Sequence, residues 1–275
     1  MTTTLRDVVD VLDRLYPPQT AQSWDQVGLV TGDPEQPVER ILLALDPTLA
    51  VIEEARDPHA DLLVTHHPLL LRGVHSVATT TAKGASITGL VVGDIALYVA
   101  HTNADVAAEG VCEALAAAAG LTDTAPLVVV EDQPLGRVGR LAAPTTLGAF
   151  ATALHAALPA AASGLRVSGP ADATVETVAV LGGAGDDQFA AVRASGADVY
   201  VTADLRHHPA LEAREESRGA APYLVDAGHW SSEAVWLQTL REALTAALRV
   251  DIDISTVRTD PWTFTVGAEN LGGMP

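Results

Sequence analysis

A chain of 275 residues with 48% hydrophobic content has material for one large or two moderate domains. Its single cysteine, Cys112, excludes an intrachain disulfide framework and a thiolate zinc site, and its net charge of −19, with no basic stripe to offset it, argues against nucleic-acid binding. Its apolar runs stop well short of the ~18 residues a membrane helix needs, and the start lacks signal-peptide patterning, so no membrane association is expected and the cytoplasm is the expected location.

In chain order, "MTTTLRDVVDVLDRLYPP" places apolar residues at helical spacing and reads as an amphipathic helix stopped by Pro17 and Pro18. Strands are predicted at 39–45, 60–65 and 94–100, with helices at 47–57, 83–92 and 104–119. A strand pair at 126–132 and 136–142 follows, then a helix at 145–157. The Ala-, Gly-, Pro- and Ser-rich stretch 157–176 reads either as an interdomain linker or as a loop inside a second domain. Strands at 175–182, 197–202, 221–226 and 250–254 then alternate with helices at 186–195, 207–218 and 232–248, and the Gly-rich C-terminal end is expected to be loose. This alternation predicts an α/β fold with mixed, largely parallel sheets. Two stretches, "ADLLVTHHPLL" at 60–70 and "ADVYVTADLRHHPAL" at 197–211, share an Ala-Asp lead-in, an apolar strand ending in Val-Thr and a His-His-Pro triplet. They suggest two related β-loop-α halves.

Three predicted strand ends carry histidine with a further ligand type close by. "LLVTHHP" offers His66 and His67, "ALYVAHTNAD" offers His101 with Asp105, and "YLVDAGHWSSE" offers His229 with Glu233. Ligands of open α/β sheets gather beyond the carboxyl ends of the strands, so such loops can converge. A spacing of four brings the carboxylate back beside the imidazole where a helix begins, with Ser231 or Ser232 a suitable N-cap for Glu233. Four imidazoles and two carboxylates suit zinc, iron, manganese or cobalt, and six ligands fit two ions better than one. The competing reading takes His101 and Asp105 as an incidental turn, and His229 and Glu233 as a helix cap. "LGGAGDD" at 181–187 reads as an anion cradle or as a tight strand-to-helix turn, and Trp24 as a core residue.

The motifs "SWDQVGLVTGDP", "VTHHPLLLRG", "HTNADVAAEGV", "VLGGAGDD", "VTADLRHH" and "DAGHWSSE" occur in an order that resembles the Nif-three-like dinuclear-metal proteins, catalogued as GTP cyclohydrolase 1 type 2 homologues. The resemblance spans about residues 1–255, departing at Gln26 and Ala203. It implies two α/β domains, residues 1–126 with 221–275 and residues 127–220, because His229 and Glu233 would rejoin the early ligands. It implies two divalent ions held by His66, His67, His101, Asp105, His229 and Glu233, and a toroidal homohexamer. The implied function is a metal-dependent hydrolase, with an activated water attacking a nucleotide or related small molecule; the alternative is a non-catalytic ring for metal handling or regulation. Asp204 and His208 are the weaker catalytic candidates near the centre, and His207 is expected to be exposed.

Overall fold

The computed structural model describes residues 2–57 and 59–267, and these divide into two compact units. One runs up to Gly110 and takes in Leu237–Thr259; the other is Val111–Trp236 with the residues from Asp260 onward.

The first unit opens with α1 (Leu5–Leu15), started by a reciprocal cap between Thr4 and Asp7 and burying Leu5, Val8, Val11 and Leu12 along one stripe. It continues through β1 (Gly28–Thr31), β2 (Arg40–Ala44), α2 (Leu49–Arg56), β3 (Leu62–Thr65), α3 (Ala82–Val92), β4 (Ala96–Val99) and α4 (Thr102–Val106). The second unit holds α5 (Val111–Ala118), β5 (Leu121–Val130), β6 (Gln133–Thr146), α6 (Leu147–Ala157), β7 (Arg166–Ser168) and β8 (Thr174–Ala184). After these come α7 (Phe189–Ser195), β9 (Val199–Ala203), α8 (His207–Glu216), β10 (Tyr223–Asp226) and α9 (His229–Ala234). The chain then re-enters the first unit through α10 (Trp236–Ala247) and β11 (Asp251–Ile254).

The first sheet has the order β1-β4-β3-β2-β11, with β1 antiparallel to β4 and the other pairings parallel. Its inner strands β3 and β4 are buried at every position, as strands covered on both faces are, which is why they read as unbroken apolar runs. Val51, Ile52 and Ala55 of α2 and Leu90 of α3 pack with Leu42, Leu63 and Leu97 in one core cluster. The second sheet has the order β5-β6-β8-β9-β10-β7, with β8, β9 and β10 parallel and the remaining pairings antiparallel. Its core gathers Leu147, Phe150 and Leu154 of α6 against Val178, Val180, Val199, Val201 and Val225.

The two sheets repeat one plan. An antiparallel edge strand, β1 or β7, lies beside three parallel strands in the order β4-β3-β2 or β10-β9-β8. The shared Ala-Asp lead-in has the same task in both. Asp61 Oδ2 accepts from the backbone N–H groups of Glu39 (2.7 Å) and Arg40 (2.9 Å) on the neighbouring strand, and Asp198 Oδ2 accepts from those of Glu176 (2.8 Å) and Thr177 (2.9 Å). Past the shared Val-Thr, Ala100 N donates to Thr65 O (3.0 Å) and Ala227 N to Thr202 O (2.8 Å). A carboxylate satisfying two strand-start amides fixes the register of the adjacent strand, so the sequence echo at 60–65 and 197–202 is a repeated register device.

Several boundaries differ from the sequence expectation. The helix predicted at 104–119 is two helices broken before Gly110, where a Cβ would stand 1.8 Å from Ala104 O. The stretch 157–176 is a loop of the second unit that carries its edge strand β7. The strand pair extends to 121–130 and 133–146, joined at Glu131 and Asp132, both at positive φ as tight hairpin turns require. The return to the first unit begins only after Trp236, not at residue 221, because β10 pairs with β9 and β7 in the second sheet, and His229 and Glu233 follow β10 there. The Gly-rich C-terminal end lies outside the described residues.

Candidate metal centre

The histidine group of the first unit is built where β3 and β4 end side by side. The main chain leaving β3 stays tied to the β2 end through His67 N–H donating to Leu45 O (2.9 Å), and the Thr65 hydroxyl donates to His67 O (3.0 Å). His101 precedes α4, with its N–H capped by Asn103 Oδ1 (2.9 Å), while Asn103 Nδ2 donates to Tyr16 O (2.7 Å). His66, fully buried, and the partly buried His67 and His101 each offer a ligand nitrogen within 4.8 Å of the other two. Asp105, on the first turn of α4, brings Oδ1 to 3.7 Å from His66 Nε2.

The far side of each ring fixes its proton. His66 Nδ1 lies 2.9 Å from Ala100 O, an atom that only accepts, so Nδ1 carries the hydrogen and Nε2 the lone pair. His67 Nδ1 lies 2.7 Å from Asp46 Oδ1, and the other oxygen of Asp46 accepts from the Thr259 hydroxyl. His101 Nδ1 lies 3.0 Å from Asp25 Oδ1, while Asp25 Oδ2 accepts from the N–H (3.0 Å) and hydroxyl (2.6 Å) of Thr102. Burial alone would push the Asp25 carboxyl up, but the bonds from His101 and Thr102 outweigh it and hold the group at about 2. With Nδ1 of each ring engaged on its far side, the three imidazoles turn their other nitrogens toward a common space, and carboxylate- or carbonyl-backed histidines are the usual form of metal ligand.

The second unit repeats the device at the end of β10. His229 Nδ1 lies 2.8 Å from Asp204 Oδ2 and its Nε2 lies 3.2 Å from Glu233 Oε1, one helical turn on. Asp204 sits at φ 53°, a left-handed conformation that Asp tolerates better than most residues. Asp226 ties the two loops together. Its Oδ2 accepts from Leu205 N (3.2 Å), its Oδ1 from Gly228 N (3.1 Å), and Arg166 pairs with it. Helix α9 starts at His229 behind Gly228 rather than at either serine, and Ser232 inside it bonds back to His229 O (2.8 Å). The glycine run of "LGGAGDD" seats this helix instead of cradling an anion: Gly183 N donates to Ser232 Oγ (3.0 Å), and Gly183 O accepts from Thr202 Oγ1 (3.0 Å).

Each unit thus carries a group of candidate ligands, His66, His67, His101 and Asp105 in one and His229 and Glu233 in the other. The second His-His-Pro triplet is not part of either. His207 and His208 stack T-shaped on the exposed start of α8 with centroids 5.2 Å apart, and His207 lines a pocket of about 370 Å³ with Arg166, Leu205 and Leu211. Asp204 is placed on His229, and His208 meets His207 instead. Sequence reading missed Asp25 and Asp46 as partners of the candidate ligands. Asp46 had a signal, a carboxylate two residues past a strand end like the histidines beside it. Trp24, read as a core residue, is 52% exposed.

Residues 3–261 match the profile of the family described as Duf34/NIF3 (NGG1p interacting factor 3). Among curated relatives, the chain is 47% identical over 271 residues to the "GTP cyclohydrolase 1 type 2 homolog" of Streptomyces coelicolor, covering 94% of this chain and 93% of that protein. Among solved structures it superposes on Staphylococcus aureus protein SA1388 with a TM-score of 0.88 at 28% identity, covering 96% of this chain and all of that one. It superposes on a Bacillus cereus protein related to NIF3 with a TM-score of 0.86 at 26% identity and the same coverage. The fold inferred from the motifs, two α/β domains with mixed sheets, is the fold these proteins share.

Proposed function

The chain belongs to the Duf34/NIF3 family, and on that premise we propose that His66, His67, His101, Asp105, His229 and Glu233 hold two divalent ions serving hydrolysis of a small molecule. One observation carries the reading: all four imidazoles have Nδ1 turned to an acceptor oxygen, which leaves Nε2 as the donor atom of each. The all N/O donor set suits zinc, iron, manganese or cobalt alike.

Such a pair of ions, when bound, supplies Lewis-acid polarisation of a substrate oxygen and lowers the pKa of water. The chain's own residues hold that chemistry in place. Asp25, Asp46 and Asp204 keep the proton on Nδ1 and stabilise positive charge on their rings, and Asp105 and Glu233 balance the charge of the ions. Buried His66 excludes solvent from its side of the centre. Asp204, exposed beside His229, is the carboxylate suited to pass a proton to solvent, and His208 is the weaker candidate. The relatives' name points to a nucleotide substrate, with opening of the guanine imidazole ring as the reaction to test first. A homohexamer and a cytoplasmic setting belong to the same reading; among the described residues no helix is long and apolar enough to cross a membrane.

The test is turnover of GTP, phosphoesters and cyclic amides by protein reconstituted with each ion. Asp105→Ala should lower any such rate by roughly 100-fold or more, beyond the range for residues that only support ligands. Bound metal with no turnover of any substrate would replace the hydrolase by a metal-handling protein.

A further inference from the structure

Trp24 stands beside the histidine group with half of its surface in solvent (52%), its indole T-shaped to His101 with ring centroids 5.9 Å apart. An indole left in water forgoes the burial that drives folding, so a Trp held outward at a polar site calls for a reason. The outward position is built. Indole Nε1–H donates to Gln22 Oε1 (2.7 Å), and Gln22 N–H donates to Thr102 Oγ1 (2.9 Å). Thr102 follows His101 directly and gives its own hydroxyl hydrogen to Asp25, the carboxylate that holds His101. One network therefore positions the indole and the imidazole together, with Asp25 pointing inward and its neighbour Trp24 outward. The ring is oriented before anything binds, so little rotamer entropy remains to be lost on contact.

We propose that Trp24 is a stacking platform that selects a planar heterocyclic substrate, such as a nucleobase, and presents it to the centre. The proposal rests on the reading above and adds the residue that selects the substrate. An indole face attracts any planar ring of a nucleobase's size and gives a saturated sugar phosphate no comparable surface. Trp24 is a specificity residue here, with metal binding left to His101 and its neighbours.

The test compares guanosine 5′-monophosphate with ribose 5-phosphate in equilibrium dialysis against the metal-loaded full chain, with metal content measured on the same samples. The wild type should bind the nucleotide at least roughly tenfold more tightly, the low to middle part of the range for base–aromatic stacking. Trp24→Ala should erase that margin and Trp24→Phe should keep most of it. Gln22→Ala, which releases the indole without removing it, should narrow the margin, and metal content should stay level in all three variants. Equal binding of the two probes by the metal-loaded wild type, or a margin that survives both Trp24→Ala and Gln22→Ala, overturns the platform and leaves the metal centre standing. A wild type that binds no metal overturns both.

Discussion

Gly183 and Glu233 fit together only because residue 183 has no side chain: a Cβ there would stand 2.2 Å from Glu233 Oε1 and 3.5 Å from His229 Cε1. Gly183 also lies at φ +69°, where an L side chain is strained. Gly183→Ala should therefore push the Glu233 carboxylate out of place and lower the metal content, at a folding cost of about 1–3 kcal/mol for the strained backbone. Elemental analysis of the purified variant checks this. Full metal content would show that Glu233 is not held by this contact.

Asp46 links Thr259 to His67, and replacing it with Ala removes the acceptor that faces His67 Nδ1. Asp46→Ala should weaken metal affinity about 10- to 100-fold, the usual cost of losing a partner behind a ligand. Competition with a chelator measures it, and Thr259→Val should give a smaller change in the same direction.

The acid limb of stability should depend on Asp25. Its folded pKa of about 2 lies below the usual 3.8, so its contribution is complete above pH 4 and fades as pH falls toward 2. At roughly 1.4 kcal/mol per pKa unit, the contribution of this buried carboxylate is about 2 kcal/mol. Denaturant titration of metal-free protein between pH 2 and 5 should show this dependence, and Asp25→Asn should flatten it.

The paired register carboxylates predict matched losses. Asp61→Ala and Asp198→Ala should each cost about 2–3 kcal/mol, since each strips a charged acceptor from two backbone N–H groups. The carboxylates serve different sheets, so the double variant should cost their sum. A negligible loss at either position would refute the register role there.

Much of this was legible in the sequence because it was local. Strands β3, β4 and β9 announce themselves as apolar runs, and His66, His67, His101 and His229 stand at the strand ends where α/β sheets collect ligands. The partners of those histidines are another matter. Asp25 and His101 lie 76 residues apart and Asp46 and His67 lie 21 apart, and only the sheet order brings them together. Strand β1, four residues long, is too short to show a period of two. The home of His229 and Glu233 depended on whether β10 pairs within the second sheet, a long-range choice that hydrophobic pattern does not encode. Trp24 misled for a related reason: its size marks it for the core, and only the bond to Gln22 shows what holds it outward.

The central claim, that the first His-His pair holds metal and the second does not, is tested most directly by elemental analysis of wild type, His67→Ala and His207→Ala. The account predicts two divalent ions per wild-type chain, a clear loss in His67→Ala and wild-type content in His207→Ala. Equal loss in both variants, or a wild type without stoichiometric metal, would contradict it.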